Sequence, residues 1–259
     1  MSHELAPRRD TKARMTKARM AARALRRRIA ALGPGSVFAS TVPAGARVVY
    51  VDIGMHKKAL QLRYMKDVFG SVLSLRTFGF EAHPDYFREA EAAVRPGPGD
   101  TLLHAAVVGP GQGRSVRLNL NGGEGLGDSI VRNRGGEGID VPAVRLSEIL
   151  RSSGIEHSDE VVILRMNIEG AELYVLEDLE QTGLLGRVDG YYGYWDDPLK
   201  IGGEVAARFQ EIMARTGIDN FPFNDRDFRN PVRLAAVKYD LVTSIRAGLG
   251  RRSARSRRQ

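Results

Sequence analysis

Short apolar runs rich in β-branched residues alternate with helical periodicities along most of this chain. The run at 47–54 (RVVYVDIG) is the first, and the run at 160–168 (EVVILRMNI) is the strongest. Runs of this kind read as strands buried on both faces of a parallel sheet. Between them the pattern predicts a helix over 56–69 and a second strand over 74–82. Pro84-Asp85 opens a helix that runs to Val94, Pro96-Gly97-Pro98-Gly99 makes a turn, and 101–108 (TLLHAAVV) is the third strand. A helix over 171–182 and a fifth strand near 187–195 follow the fourth strand at 160–168. A helix over 203–216 carries Val205, Phe209, Ile212 and Met213 on its inner face. A closing pair of strands is expected near 219–223 and 232–239.

The rhythm changes once. Residues 115–145 hold two polar/apolar alternations, SVRLNLN and IDVPAVRL, separated by two glycine clusters, and read as a hairpin inserted after the third strand. Leu146–Ser152 is a short helix. Five parallel strands with helical crossovers predict an α/β fold with a doubly wound sheet, interrupted by that insertion and closed by a terminal antiparallel hairpin.

The ends differ from the body. Residues 8–32 are rich in Ala, Arg, Lys and Met, with Met15, Ala18, Ala22, Leu25, Ile29 and Leu32 on one face of a helix that Gly33-Pro34-Gly35 stops. Such a cationic helix suits docking on an acidic surface, an anionic membrane or a partner chain. Residues 1–28 hold ten Lys/Arg against two acids, and residues 246–259 hold six Arg and no acid. The net charge of +8 therefore belongs to the tails, and the body is acidic at −6. That argues against a basic groove in the core and makes nucleic acid an unexpected primary substrate. The organisation reads as a basic helical extension (1–33), a catalytic-type domain (34–245) and an Arg-rich disordered tail (246–259). There is no cysteine, and the five His show no tight ligand spacing, so no metal is demanded. No secretory signal or membrane-spanning run is read, and a cytoplasmic protein is expected.

Candidate chemistry gathers where strands end, because side chains there project into the crevice in which open α/β sheets bind ligands. Asp52 closes the first strand and Gly54 follows it, where a missing Cβ lets the backbone approach a ligand. Glu81 closes the second strand, where a carboxylate suits a ribose diol. Asn167-Ile168-Glu169-Gly170-Ala171-Glu172 closes the fourth. Glu169 and Glu172 also fall where acids stabilise a helix N-terminus, so a purely structural role competes with a chemical one. The aromatic and acidic cluster Tyr191-Tyr192-Gly193-Tyr194-Trp195-Asp196-Asp197 is either an acceptor platform or a packed strand end.

The order VDIG, FGFEAHP, LHAAVV, GDSI, VRLSEIL, VILRMNIEGAE resembles the FkbM-type methyltransferases, S-adenosylmethionine-dependent enzymes of the Rossmann-like class. The similarity covers roughly residues 47–195, and its most specific element is Arg165-Met166-Asn167-Ile168-Glu169-Gly170-Ala171-Glu172, which stands where the family has a Lys-Ile-Asp-Val-Glu-Gly-Ala-Glu type string. The resemblance implies that Asp52 and Gly54 lie against the methionine part of the cofactor and that Glu81 holds the ribose. Ala105 and Ala106 would lie near the adenine, and Asn167, Glu169 and Glu172 would face the acceptor. Two departures stand out: His56 and Lys58 replace the Asn and second Gly of the family's first turn, and Asn167 replaces its Asp. Asn167 is no base, so the hydroxyl proton is expected to pass to Glu169 or His83. The implied activity is S-adenosylmethionine-dependent O-methylation of a small-molecule or saccharide hydroxyl. The rival readings are a degenerate binding or scaffold protein and a nucleic-acid methyltransferase that docks through its tails.

Overall fold

The computed structural model describes residues 42–121, 127–133, 135–193, 195–216, 218 and 223–256. The basic helix expected over 8–32 lies outside them.

Val-rich runs build the central sheet. Its strands are β1 (Arg47–Ile53), β2 (Ser74–Glu81), β3 (Asp100–His104), β7 (Val161–Met166) and β8 (Gly190–Gly193). They pair in parallel in the order β3-β2-β1-β7-β8. The strand order therefore reverses at β1, which pairs with β2 on one side and β7 on the other. Alternate β1 residues face opposite layers: Val49, Val51 and Ile53 join one apolar cluster, Val48 and Tyr50 the other.

Helices cover both faces. α1 (Leu60–Phe69) and α2 (Pro84–Val94) pack on the Tyr50 side, where His83 caps α2 by accepting the Asp85 N–H on Nδ1. α3 (Leu146–Ser152), α4 (Glu172–Gln181) and α6 (Gly203–Thr216) pack on the Ile53 side, with α5 (Asp196–Ile201) leading into α6. α3 is anchored by Asp178 of α4, which accepts both the Ser147 N–H and its hydroxyl at 2.8 Å.

Three expectations are corrected. The third strand is two strands: β3 stays with β2, Ala105 turns away, and β4 (Ala106–Val108) enters a separate sheet. That sheet has the order β4-β6-β5, with β5 (Ser115–Asn119) antiparallel to β6 (Gly138–Arg145) and β4 parallel to it. The β5–β6 pair is the hairpin expected over 115–145, and β4 joins it as a third strand. At the C-terminus there is no strand over 232–239, because those residues open the helix α7 (Pro231–Ser256). Val237, Leu241 and Ile245 recur every four residues on its buried side. The partner strand expected near 219–223 lies outside the described residues except for Phe223. The Arg-rich end, expected to be disordered from 246, is instead helical through Ser256, and Arg251 and Arg252 donate to Asp189 beside β8.

Candidate active site

A cleft opens at the carboxyl ends of β1, β2 and β7, where the strand order reverses. Its cavity volume is about 90 Å³, and it continues into an open mouth. Its floor is Ile53 and Gly54 of β1 and its turn, and one wall is Phe80, Glu81 and Ala82.

Gly54 is required by geometry. Its φ is 81°, and a Cβ there would lie 2.3 Å from the Asn167 carbonyl oxygen. The ends of β7, β1 and β2 are knitted together by Asn167 N–H donating to Ile53 O at 3.0 Å and by Gly54 N–H donating to Phe80 O at 2.9 Å. Next to this floor, Glu81 accepts the backbone N–H of His56 at 2.8 Å on one oxygen and that of His83 at 2.9 Å on the other. Burial raises its pKa above the ordinary carboxylate value, against the pull of those two amides. Each oxygen keeps a second lone pair for a ligand hydroxyl. His56, with a left-handed φ of 58°, and Tyr86 also line the cleft, their rings 5.2 Å apart.

The opposite wall comes from the second sheet and its connection. Ala105, Ala106 and Val107 line the cleft, as do Leu118 and the segment Asp128-Ser129-Ile130. Ser129 ties that segment to the end of β7: its hydroxyl donates to Glu169 O at 2.9 Å and accepts the N–H groups of Val131 and Arg132 at 3.1 Å. Arg132 Nε donates to the same carbonyl at 3.1 Å, and its guanidinium pairs with Asp197 at 2.8 Å. These contacts hold Glu169 at a left-handed φ of 54°, a conformation unfavourable for a residue with a side chain.

The structure therefore brings Gly54, Glu81, Ala105 and Ala106 to one hollow. It does not bring Asp52 there. That carboxylate has the parity of Tyr50 and points behind the sheet, fully buried, where it pairs with Arg165 at 2.8 Å. Arg165 also donates to Gly54 O at 2.8 Å and to Phe223 O at 3.2 Å, so it buttresses the turn from the rear. Glu172 does not face an acceptor: its two oxygens accept the N–H groups of Ile168 and Gly170 at 2.9 Å, stapling the β7–α4 loop. Burial pushes its pKa up to about 7, against the backbone amides that favour the charge. His83 is the α2 cap and stacks on Tyr86 at 4.1 Å, and neither it, Asn167 nor Glu169 is among the cleft-lining residues.

The described aromatics of β8 and the residues just after it are packing. Tyr192 reaches Ser244 of α7 at 2.9 Å, Tyr191 donates to Leu185 O at 2.6 Å, and Trp195 is buried against Phe209 of α6. Tyr194 and the side chain of Asp196 lie outside the described residues. Sequence reasoning passed over Asp128, Ser129 and Tyr86 as site residues. Adjacent polar residues between two glycine clusters were the available signal for the first two.

The Methyltransferase FkbM domain model matches residues 52–189. A crystal structure of methyltransferase FkbM from Methylobacillus flagellatus KT aligns at 12% identity and a TM-score of 0.35, over 55% of this chain and 31% of that one. The chain thus matches less than a third of that protein's length. No curated protein matches the chain.

Proposed function

The chain belongs to the FkbM methyltransferase domain family, and from that premise we propose that it is an S-adenosylmethionine-dependent enzyme that O-methylates a hydroxyl of a sugar, glycan or secondary metabolite. The observation that carries this reading is the single hollow that gathers Gly54, Glu81, Ala105 and Ala106 at the point where the strand order reverses. Those residues suit a nucleoside sulfonium. Gly54 presents bare backbone, Glu81 offers lone pairs to a ribose diol, and Ala105 and Ala106 make a flat apolar wall for a purine ring.

When bound, the cofactor supplies a methyl group already activated by positive sulfur. The protein's task is then to align an acceptor oxygen and exclude water. Gly54 and Glu81 hold the donor side; the Asp128–Ile130 segment, pinned to Glu169 O, shapes the acceptor side. Arg165 serves from behind, holding the Gly54 carbonyl.

Titration calorimetry with S-adenosylhomocysteine tests the reading. One site per chain is expected, with Glu81→Ala weakening it about tenfold or more, the loss of a charged hydrogen-bond partner. No heat at millimolar ligand would remove the proposal.

A further inference from the structure

Among the described residues that line the cleft, two carry carboxylates. Glu81 belongs to the β2 side, whereas Asp128 lies beside Ser129, whose hydroxyl is fixed to Glu169 O at the end of β7. Asp128 is held by one oxygen: Oδ1 accepts the Asn121 N–H at 2.9 Å. The Ser129 hydroxyl makes three hydrogen bonds, Glu172 is folded onto the Ile168 and Gly170 amides, and Asp52 is behind the sheet with Arg165. Leu118, Ile130 and Ile168 give the same cleft an apolar lining. Neither Lys nor Arg is among the described lining residues.

From this arrangement we propose that Asp128 is the carboxylate that receives the acceptor's proton, and that the acceptor presents an uncharged hydroxyl on a largely apolar body. The proposal rests on the methyltransferase reading above. In the transfer, a lone pair of the acceptor oxygen forms the bond to the methyl carbon. The carbon–sulfur bond breaks, and its electron pair passes to sulfur. The hydroxyl proton moves to an Asp128 oxygen and is later released to water, leaving a methyl ether and neutral S-adenosylhomocysteine. A carboxylate is a sufficient base, because the hydroxyl becomes acidic as its oxygen acquires the methyl group. An anionic acceptor is disfavoured: its charge would be desolvated beside two carboxylates with no counter-ion on the described walls.

The test uses the full chain with S-adenosylhomocysteine affinity measured for every variant. Saturation-transfer NMR on the loaded protein compares phenol and cyclohexanol with phenyl phosphate. The uncharged probes are expected to bind, phenyl phosphate to bind less, and Asp128→Ala to weaken the uncharged probes. With tritiated methyl donor and the same probes, Asp128→Asn is expected to lower kcat about 100-fold, the usual worth of a positioned base, with KM within about twofold. Asp128→Glu is expected to restore at least about a tenth of the rate, and all variants to keep S-adenosylhomocysteine affinity within about twofold. Undiminished turnover in Asp128→Asn, preferential binding of phenyl phosphate, or transfer to neither uncharged probe overturns the proposal. A wild-type protein that fails to bind S-adenosylhomocysteine instead removes the methyltransferase reading beneath it.

Discussion

Gly54 is the residue on which the cleft floor depends. A methyl group at this position meets the Asn167 carbonyl, and the positive φ adds strain of its own. Gly54→Ala is expected to cost at least ~1 kcal/mol in urea unfolding and to abolish S-adenosylhomocysteine binding by calorimetry. Arg165 has the complementary role. Arg165→Met strands the buried Asp52 carboxylate and should cost about 3–5 kcal/mol, and combining it with Asp52→Leu should recover a measurable part of that loss. Glu172 links the β7–α4 loop to pH. Its pKa is raised in the folded protein from 4.5 to about 7, so its stabilising contribution is complete below pH 4.5 and is lost as pH rises through 7. The change is of order 3 kcal/mol, and Glu172→Gln should remove that share of the slope in Tm between pH 5 and 8. The sequence places acids at strand ends but does not say where they point. On a strand buried on both faces no polar alternation marks the cleft side, so Asp52 and Glu81 look alike until the register is known. Glu172 misled for a different reason: the same carboxylate can face a ligand or turn back onto its own loop amides.

At the scale of elements, α7 decides how the back of the sheet is closed. Glycines permit its close approach. A Cβ at Gly248 would lie 2.8 Å from Val161 Cγ1, and one at Gly190 would lie 3.0 Å from the Ser244 Cβ. Asp189 then clamps the end of the helix, accepting from Arg251, Arg252 and the Val162 N–H. Asp189→Ala should cost about 1–3 kcal/mol by chemical denaturation and should speed amide exchange in residues 246–256 ahead of the rest of α7. The buried Val-rich strands and the helices at 146–152 and 203–216 were readable, because length and period distinguish them. The opening of α7 was not. The stretch Val232-Arg233-Leu234-Ala235-Ala236-Val237 is a mostly apolar run too short to separate a strand from a helix, and the four-residue recurrence emerges only across Val237, Leu241 and Ile245. The split of the third strand was equally hidden, since β3 and β4 form one apolar run that changes sheets at Ala105 without a glycine or proline to mark it.

For the molecule as a whole, the architecture makes a two-sided cleft. The parallel sheet delivers Gly54 and Glu81 to one wall, and the smaller sheet with its Asp128–Ile130 segment supplies the other. The family resemblance pointed to Gly54, Glu81, Ala105 and Ala106 from sequence; the Asp128–Ile130 part of the second wall depends on the contact between residue 129 and residue 169, which no local pattern encodes. The donor side also carries a pH signature. A ribose diol is best held by ionised Glu81, whose pKa burial raises, so affinity for S-adenosylhomocysteine should fall on acidification before an ordinary carboxylate would titrate. Among the described residues no helix is long and apolar enough to cross a membrane. A crystal structure with S-adenosylhomocysteine tests the account most directly. The account predicts the ribose hydroxyls within hydrogen-bonding distance of Glu81, the purine against Ala105 and Ala106, and the sulfur facing the Asp128 wall. Ligand bound at another surface, or an empty cleft in crystals grown at millimolar ligand, would contradict it.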